Sequence, residues 1–439
     1  MTKFFLCILV LVSAFLHFYK IAEPTRPVFD ETYYATFASD YANFEPHYDG
    51  HPPVGKFIYA LPLFFHKDKK ITDAEFIKIF INTDANGEKI LDKERNNESF
   101  GNFPYVTLRY VSAIFGIALI ALVFFLARNL TGSETVGLVA AFLTTFENAL
   151  LLESRLILLN VMGLAFGIIA LILFFSKKPK PIIGGIFLGL SIGVKWIAIV
   201  YLGPIIAAFL LNRDKDERRI IFKNIIKFSV VAIIAYLILH IAINTIFSPV
   251  KERLMLYESF MEWLPRNDII LSNWELHLKA FLTEMSTSLN GYTVGVPWND
   301  TFSTHWYEWP TKWTTTFYSY HNPLIILTAN PLVWLITTMA IFGILMKCLN
   351  YRKNIKKYKT HFLVLGSYAL TMLPLALVSR ATYFYHYFPA YIFGIILAAM
   401  LLKDFLEKQM MNKQKIYGFI VGSAIIASFL MIAPYVYGS

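Results

Sequence analysis

Single acidic and basic side chains stand beside long apolar stretches at several places in this chain. A carboxylate in such a position can take the proton of a hydroxyl group. Arginine and lysine can hold a phosphate and stabilise it as a leaving group. Group transfer from a lipid-linked phosphate needs both kinds of residue beside apolar segments. The residues that predict this chemistry come from five separate regions and are Asp30, His51, Lys56, Arg155, Lys195, Arg380 and His386.

The acidic pair Asp30-Glu31 follows the first apolar stretch closely. Neighbouring side chains point to opposite faces of an extended segment and diverge by about 100° on a helix. The two carboxylates are therefore not expected to act on the same atom. One can face a reacting group while the other orients the loop. From the dipeptide alone, an exposed acidic pair is the alternative interpretation.

The segment His51-Pro52-Pro53-Val54-Gly55-Lys56 precedes a mostly apolar run that ends at Phe65. The prolines fix the backbone, and Pro52 keeps His51 out of the helical region. The run that follows predicts a short helix in the membrane interface, with Lys56 reaching phosphate headgroups. A purely structural turn before such a helix is the alternative.

Composition places these residues in a membrane protein. Hydrophobic residues make up 56% of the 439 residues and charged residues only 16%, against about 25% charged in soluble domains. The net charge of +10 is carried largely by short loops between apolar blocks, so we expect no nucleic-acid partner. Cys7 and Cys348 have no partner at metal spacing, which predicts neither a disulfide nor a metal site.

The apolar blocks predict eleven membrane spans. The first has no small-residue cleavage site after it, so we expect it to be retained. A pair of short spans at 181–211 is the alternative to one long tilted helix. Two spans there put all four clusters of loop cations on the cytoplasmic side, with the N-terminus. The predicted spans are 4–20, 106–127, 136–152, 156–175, 181–195, 197–211, 224–247, 324–346, 361–378, 384–402 and 416–437.

This topology leaves two long external loops, at 21–105 and 248–323. Loops of that length are usually functional or disordered. A charged, Asn-rich stretch at 67–101 is typical of a mobile insertion. The topology also places the seven residues that could do chemistry at the same membrane face, which scattered cations would not explain. Glu153, beside Arg155, falls at that face as well.

Seven motifs in order along the chain carry a family resemblance. They are Phe-Asp-Glu at 29–31, His-Pro-Pro-Val-Gly-Lys at 51–56, Glu-Asn-Ala-Leu-Leu-Leu-Glu-Ser-Arg at 147–155, Ser-Ile-Gly-Val-Lys-Trp at 191–196, Ser-Thr-His-Trp-Tyr-Glu-Trp-Pro at 303–310, Asn-Pro-Leu-Val-Trp at 330–334 and His-Tyr-Phe-Pro-Ala at 386–390. With these motifs the sequence resembles the protein O-mannosyltransferases, which have the all-α GT-C membrane fold. The loop at 248–323 is too short for the β-trefoil insertion of eukaryotic members, so the resemblance is to the bacterial or archaeal type.

The resemblance implies one GT-C domain over 1–439, with a catalytic first loop and an acceptor or donor side in the second. It implies inverting transfer of mannose from polyprenyl-phosphate mannose to Ser or Thr hydroxyls of exported proteins. The expected partners are this donor, the polypeptide acceptor, the export translocon and the bilayer. No cofactor or metal is expected. The expected location is the plasma membrane, with the site outside.

The residues expected to carry this reaction fall into three groups. Asp30 and Glu31 are the catalytic candidates, with Asp30 as the base. The candidates for the acceptor or sugar side are His51, Glu153, Trp306 and Trp309. The candidates for the donor phosphate are Lys56, Arg155, Lys195, Arg380 and His386.

Two other functions are compatible with parts of this pattern. Related GT-C enzymes move aminoarabinose-like sugars from polyprenyl phosphate to lipids or glycans with similar acid and lysine positions. A lipid flippase or transporter would instead place functional charges near the bilayer midplane and show a two-fold repeat. The sequence shows neither of those features.

Overall fold

The computed structural model describes most of the chain. The described residues are 1–45, 47, 49, 51–71, 77–83, 89–95, 99–247, 303–319, 323–350, 358–378 and 381–438, with backbone alone for 77–83, 89–95 and 412. Arg380 and most of the second long loop lie outside this part of the chain.

The described residues form fourteen α-helices. They are α1 (Thr2–Phe18), α2 (Glu31–Asn43), α3 (Pro53–Leu63), α4 (Tyr105–Thr131), α5 (Glu134–Thr145), α6 (Asn148–Glu153), α7 (Asn160–Phe174), α8 (Pro181–Val194), α9 (Leu202–Leu211), α10 (Lys215–Phe247), α11 (Pro331–Asn350), α12 (Lys359–Met372), α13 (Phe388–Glu407) and α14 (Met411–Tyr437). Three short 3₁₀ segments adjoin them, at Trp196–Tyr201, Leu373–Leu377 and Phe384–Tyr387.

Each of the eleven predicted spans contains at least one apolar helical segment. Among the described residues, six segments are long and apolar enough to cross a membrane by themselves, and five apolar helices are shorter. The prediction of an all-α, multi-pass membrane protein is therefore confirmed.

Helix α13 is the central helix of the bundle. Every residue from Phe388 to Met400 is buried, as expected for a helix that is apolar on all sides. It packs against α5, α11, α12 and α14. Helix α10, by contrast, packs against α8 and leaves several isoleucines exposed, as expected for a helix that faces lipid.

Two predicted spans have different limits in the structure. The span at 136–152 is broken, because the Glu147 side chain accepts the amide hydrogen of Leu150 and starts the separate helix α6. The span at 324–346 begins only at Pro331, because the Asn330 side chain caps α11. Capping side chains thus decide both limits.

The region 181–211 is two helical segments and not one long helix. Lys195 has extended backbone angles, φ −149° and ψ 135°, and separates α8 from the 3₁₀ segment at Trp196–Tyr201. This break places Lys195 at the end of α8 opposite the loop cations Lys177 and Lys178.

The described parts of the two long loops contain short helices and hairpins. In the first loop, α2 packs on α3, and the 67–101 stretch contains an antiparallel pair, β1 (Ile77–Thr83) and β2 (Lys89–Arg95). After the undescribed part of the second loop, β3 (Thr315–Ser319) pairs antiparallel with β4 (Ile325–Thr328). Strand β4 contacts α6 and α14, so this hairpin is held against the membrane helices.

Helix α7 packs closely against the 3₁₀ segment at Gly167. A Cβ atom there would lie 2.1 Å from a ring carbon of Tyr201, whereas one at Gly343 would meet nothing within 4 Å. We therefore expect Gly167→Ala to destabilise the protein by about 1–3 kcal/mol through overpacking. Gly343→Ala is the matched control. Thermal unfolding in detergent measures both, and equal midpoints for the two variants would contradict this packing.

Candidate active site

Asp30 lies at the N-terminus of α2, on a turn that exposes it partly. Phe29, just before it, has a positive φ of 55°. Its ring stacks on the Tyr318 ring of β3 at 4.1 Å and meets the Tyr385 ring edge-on at 6.3 Å. The first loop, the β3–β4 hairpin and the segment before α13 therefore meet at Phe29, next to Asp30.

Tyr34, one turn along α2, shows how many acidic groups converge here. Burial raises the pKa of its hydroxyl well above the usual value, and the charges of Asp30 and Asp49 raise it further. Tyr385 and Glu153 act on it in the same direction. Asp30, Glu153 and Tyr385 are far apart in sequence, so it is the fold that brings them together.

Glu31 has a different environment from Asp30. It is fully buried, and Arg109 of α4 contacts both of its oxygens, at 2.8 and 2.7 Å. The backbone amides of Val28 and Ile157 also donate to it, at 3.0 and 2.9 Å. With both oxygens occupied, Glu31 is placed to orient the loop rather than to take a proton. Its predicted catalytic role is not supported by this geometry.

The Arg109 guanidinium holds the first loop from several sides. It donates to the backbone carbonyls of Ile21, Pro24 and Arg26, at 3.2, 2.8 and 3.4 Å. The Tyr105 ring lies 4.9 Å from its central carbon. Arg109 was not among the sequence candidates, because it lies inside an apolar span without a motif around it.

Lys56 of α3 forms an ion pair with a neighbour in the same loop. Its ammonium lies 2.9 Å from Asp49 and donates to the His51 carbonyl at 2.7 Å. Burial alone would raise the pKa of the Asp49 carboxyl, but the Lys56 charge holds that pKa below its usual range. Lys56 is buried, so a phosphate would have to compete with Asp49 for it.

Lys195 is half-buried and belongs to a row of hydrogen-bonded side chains. Its ammonium donates to Asn160 Oδ1 at 2.8 Å, and Asn160 Nδ2 donates to Glu153 Oε2 at 2.9 Å. The Tyr318 hydroxyl donates to the other oxygen of Glu153. Burial raises the pKa of Glu153 to about 7, even though Tyr318, Asn160 and Lys195 lower it, and the Asp30 charge raises it.

His386 and Tyr385 lie beside Lys195. The Lys195 ammonium is 5.0 Å from the centre of the Tyr385 ring, which contacts the His386 ring at 4.4 Å. The backbone amide of Tyr383 donates to His386 Nδ1 at 3.1 Å. A crevice in this place is lined by Asn160, Lys195, Tyr385 and His386, with apolar residues around them.

His51 approaches the same region from the first loop. Its ring centre lies 6.3 Å from that of Tyr34, and its charge lowers the pKa of Asp49. It remains a candidate for the acceptor side.

Arg155 lies away from this cluster. Its guanidinium donates to the carbonyls of Leu16, His17, Tyr19 and Lys20, at 3.1, 2.8, 2.6 and 2.9 Å. It therefore satisfies the free carbonyls at the C-terminus of α1. This arrangement favours a structural role over the predicted contact with phosphate.

The two candidate tryptophans of the second loop, Trp306 and Trp309, also differ. Trp309 is fully buried, and its indole donates to Thr304 Oγ1 at 2.8 Å. Its ring is therefore not accessible to a sugar. Trp306 is half-buried, and the neighbouring rings of His305 and Tyr307 stack in an exposed position. Only Trp306 of the predicted pair remains accessible to an acceptor or sugar.

The described structure thus brings together seven residues around one crevice and its rim: Asp30, Tyr34, Glu153, Asn160, Lys195, Tyr318 and His386. Sequence reasoning missed Tyr34, Asn160 and Tyr318. Asn160 carries one usable signal, since it is a polar residue at the start of an apolar run.

Comparison with known proteins identifies the family. Residues 7–251 match the model of dolichyl-phosphate-mannose-protein mannosyltransferases, and residues 271–439 match the C-terminal four-helix region of protein O-mannosyltransferases. The chain therefore belongs to this family.

Curated relatives and solved structures agree with this assignment. The chain is 31% identical to mannosyltransferase 4 of Candida albicans over 35% of its own length, and 26% identical to O-mannosyl-transferase 2 of Danio rerio over 45%. The alignments span only 18% and 25% of those relatives. The donor-bound Pmt1-Pmt2 complex of Saccharomyces cerevisiae matches with a TM-score of 0.74 at 14% identity, over 100% of this chain and 90% of that one. This structural likeness shows the GT-C fold.

The buried pair of Glu31 and Arg109 yields a stability prediction. Arg109→Ala leaves a buried carboxylate without its partner, which costs about 3–5 kcal/mol. Glu31→Gln should also destabilise, because it leaves the guanidinium unpaired. Arg128→Ala, at a half-buried arginine of the same helix, is the matched control and should have little effect. Thermal unfolding in detergent measures all three. A Glu31→Gln variant with the wild-type midpoint and no activity would instead support the catalytic role.

Proposed function

We propose that this member of the protein O-mannosyltransferase family transfers mannose from polyprenyl-phosphate mannose to Ser or Thr hydroxyls of exported proteins. The observation that carries the proposal is the separation of the acidic pair. Asp30 is partly exposed beside the crevice that Lys195 and His386 line, whereas Glu31 is buried in an ion pair with Arg109. One carboxylate is therefore accessible next to a cationic crevice.

The chemistry follows as a single displacement. The acceptor oxygen attacks the anomeric carbon of mannose while the bond from that carbon to the phosphate oxygen breaks. Asp30 takes the hydroxyl proton, and the phosphate leaves with the bonding electron pair. Attack from the face opposite the phosphate inverts the anomeric carbon. General-base assistance of this kind contributes about 10²- to 10⁴-fold in rate.

Lys195, with His386 beside it, is the best-placed group for the leaving phosphate among the described residues. Its ammonium lines the crevice and donates to the side-chain oxygen of Asn160 at 2.8 Å, while Lys56 is held by a carboxylate and Arg155 by four carbonyls. Arg380 remains a sequence candidate, because it lies outside the described residues. A fixed cation at this place stabilises the charge that develops on the phosphate.

The names of the similar proteins support the donor and the acceptor. The relatives named above include a dolichyl-phosphate-mannose–protein mannosyltransferase, and the yeast complex is described as bound to the sugar donor. The polypeptide acceptor would approach from the second loop, where Trp306 is half-buried and Tyr307 is exposed. An acceptor emerging from the export translocon suits this position.

The helix directions support an orientation that places the site on the external face of the membrane. Helix α7 begins at Asn160 in the site, and α8 ends at Val194, next to Lys195. The loop between these two helices carries Lys177 and Lys178. Because α7 is about 22 Å long, these cations lie at the opposite end of the helix pair, as the positive-inside rule expects for a cytoplasmic loop.

Asp30 gives the direct test of the proposal. Purified protein is incubated with polyprenyl-phosphate mannose and a Ser/Thr-rich peptide, and mannosylated peptide is measured by mass spectrometry. We expect Asp30→Asn to lower the transfer rate at least about 100-fold, because the base is lost. Asp68→Asn, at an exposed acid of the same loop, should retain the wild-type rate.

Two outcomes would contradict this test. Equal rates for wild type and Asp30→Asn would show that another group is the base. No transfer to peptide by the wild type, with transfer to a lipid acceptor, would support the alternative class of GT-C transferases.

The proposed mechanism also predicts insensitivity to chelators. Phosphate is a good leaving group once protein cations hold it, so the reaction as proposed requires no metal ion. We expect transfer by the wild type to continue at an unchanged rate in excess EDTA. Loss of transfer, restored by a divalent cation, would show that the proposed mechanism lacks an essential metal.

A further inference from the structure

We propose that Tyr318 is a positioning residue for the proposed base, because its ring stacks on Phe29 and so fixes the turn that presents Asp30. The inference rests on the proposed function, in which Asp30 takes the hydroxyl proton. It gives the second external loop a part in the reaction that is separate from contact with the acceptor.

Phe29 holds a backbone conformation that its side chain disfavours. The Glu31 amide donates to the Val28 carbonyl at 3.1 Å and closes a turn around Phe29 and Asp30. Phe29 has a φ of 55°, and turns with a positive φ at this position are dominated by glycine, asparagine and aspartate. A bulky residue is strained there, and such strain persists only where the surrounding structure fixes it. Contacts of the Phe29 ring must therefore stabilise the turn.

Tyr318 meets Phe29 at an irregular position of its own strand. The register of the β3–β4 pair shifts between Phe317 and Ser319, so Tyr318 lies at a break in the regular ladder. A shift of this kind can re-aim a side chain, and β-bulges are common beside active sites. The Tyr318 side chain is buried, and its ring lies parallel to the Phe29 ring, with 4.1 Å between centres and 3° between planes. Its hydroxyl donates to Glu153, which fixes the ring at the other end.

Asp30 thus stands between two fixed neighbours in the chain. On one side, Glu31 is buried in its ion pair with Arg109. On the other side, the Phe29 ring lies on the Tyr318 ring. A base must lie within hydrogen-bond reach of the proton that it takes, and a misplacement of about 1 Å can cost 10²-fold in rate. Loss of the stack should therefore slow the chemical step.

The test compares kcat for peptide mannosylation among variants of the full chain in detergent. Tyr318→Leu and Phe29→Leu should each lower kcat about 10- to 100-fold, because either one removes the stack. The double variant should be no slower than the slower single variant, because both lose the same contact. Tyr318→Phe keeps the ring and loses only the hydroxyl, so it should retain most of the wild-type kcat.

Phe44→Leu is the matched control. Phe44 lies at the other end of α2, also has a positive φ, of 58°, and stacks on Phe247. The same substitution there removes a stacked ring from the same loop but leaves the turn at Asp30 intact. Phe44→Leu should therefore retain the wild-type kcat.

Two further readouts separate positioning from a general structural defect. In the Asp30→Asn background, Tyr318→Leu should not lower the residual kcat further, because the group that it positions is gone. Hydrogen exchange of the backbone amides at 28–34, measured by mass spectrometry without substrates, should be faster in Tyr318→Leu than in the wild type. It should be unchanged in Phe44→Leu.

The outcomes distinguish the positioning role from the proposed function. Wild-type exchange at 28–34 in Tyr318→Leu would overturn the positioning role, as would an equal loss of kcat in the two backgrounds. If the wild type transfers mannose and Tyr318→Leu keeps the wild-type kcat, the proposed function stands and the positioning role fails. If the wild type transfers no mannose to peptide, the proposed function fails, and hydrogen exchange alone decides whether Tyr318 fixes the turn.

Discussion

The contact between Glu31 and Arg109 organises the outer end of the molecule. Both side chains are fully buried, and an isolated charge in such a place would be strongly unfavourable. The pair is stable only because backbone amides and carbonyls satisfy the remaining donors and acceptors. As a result, the first loop, α4 and the segment before α7 are fixed together. The turn that presents Asp30 is part of this fixed unit.

The charged residues at this face divide into those that hold the protein together and those that lie at the crevice. Arg109 donates hydrogen bonds to a carboxylate and to backbone carbonyls, and Arg155 donates to backbone carbonyls. The planar guanidinium group can make several such hydrogen bonds at once. Lys56 is paired with Asp49. Lys195 lines the crevice beside His386 and donates to the neutral amide of Asn160. This position makes it the proposed phosphate ligand among the described cations.

The loop hairpins connect the two substrate sides. Tyr318 of β3 contacts both the Phe29 ring beside Asp30 and the carboxylate of Glu153. A shift of the β3–β4 hairpin would therefore change the surroundings of the proposed base and of the proposed phosphate ligand together. This physical link offers a way for acceptor contacts on the second loop to influence the donor side.

The amino-acid sequence determined the membrane class, the positions of the apolar helical segments among the described residues and the motifs that identify the family. These follow from local properties: the length of apolar runs, the positions of loop cations and short motifs. It also predicted that the two neighbouring acids would have different roles. Only the tertiary structure decided that Glu31 is the buried one, that Arg155 caps α1, that Trp309 is buried and that Asn160 joins Glu153 to Lys195. The partners involved lie 78 positions apart for Arg109 and Glu31 and 138 for Arg155 and the His17 carbonyl. Whether a cation faces a carbonyl, a carboxylate or an open crevice depends on such distant partners, which no local pattern specifies.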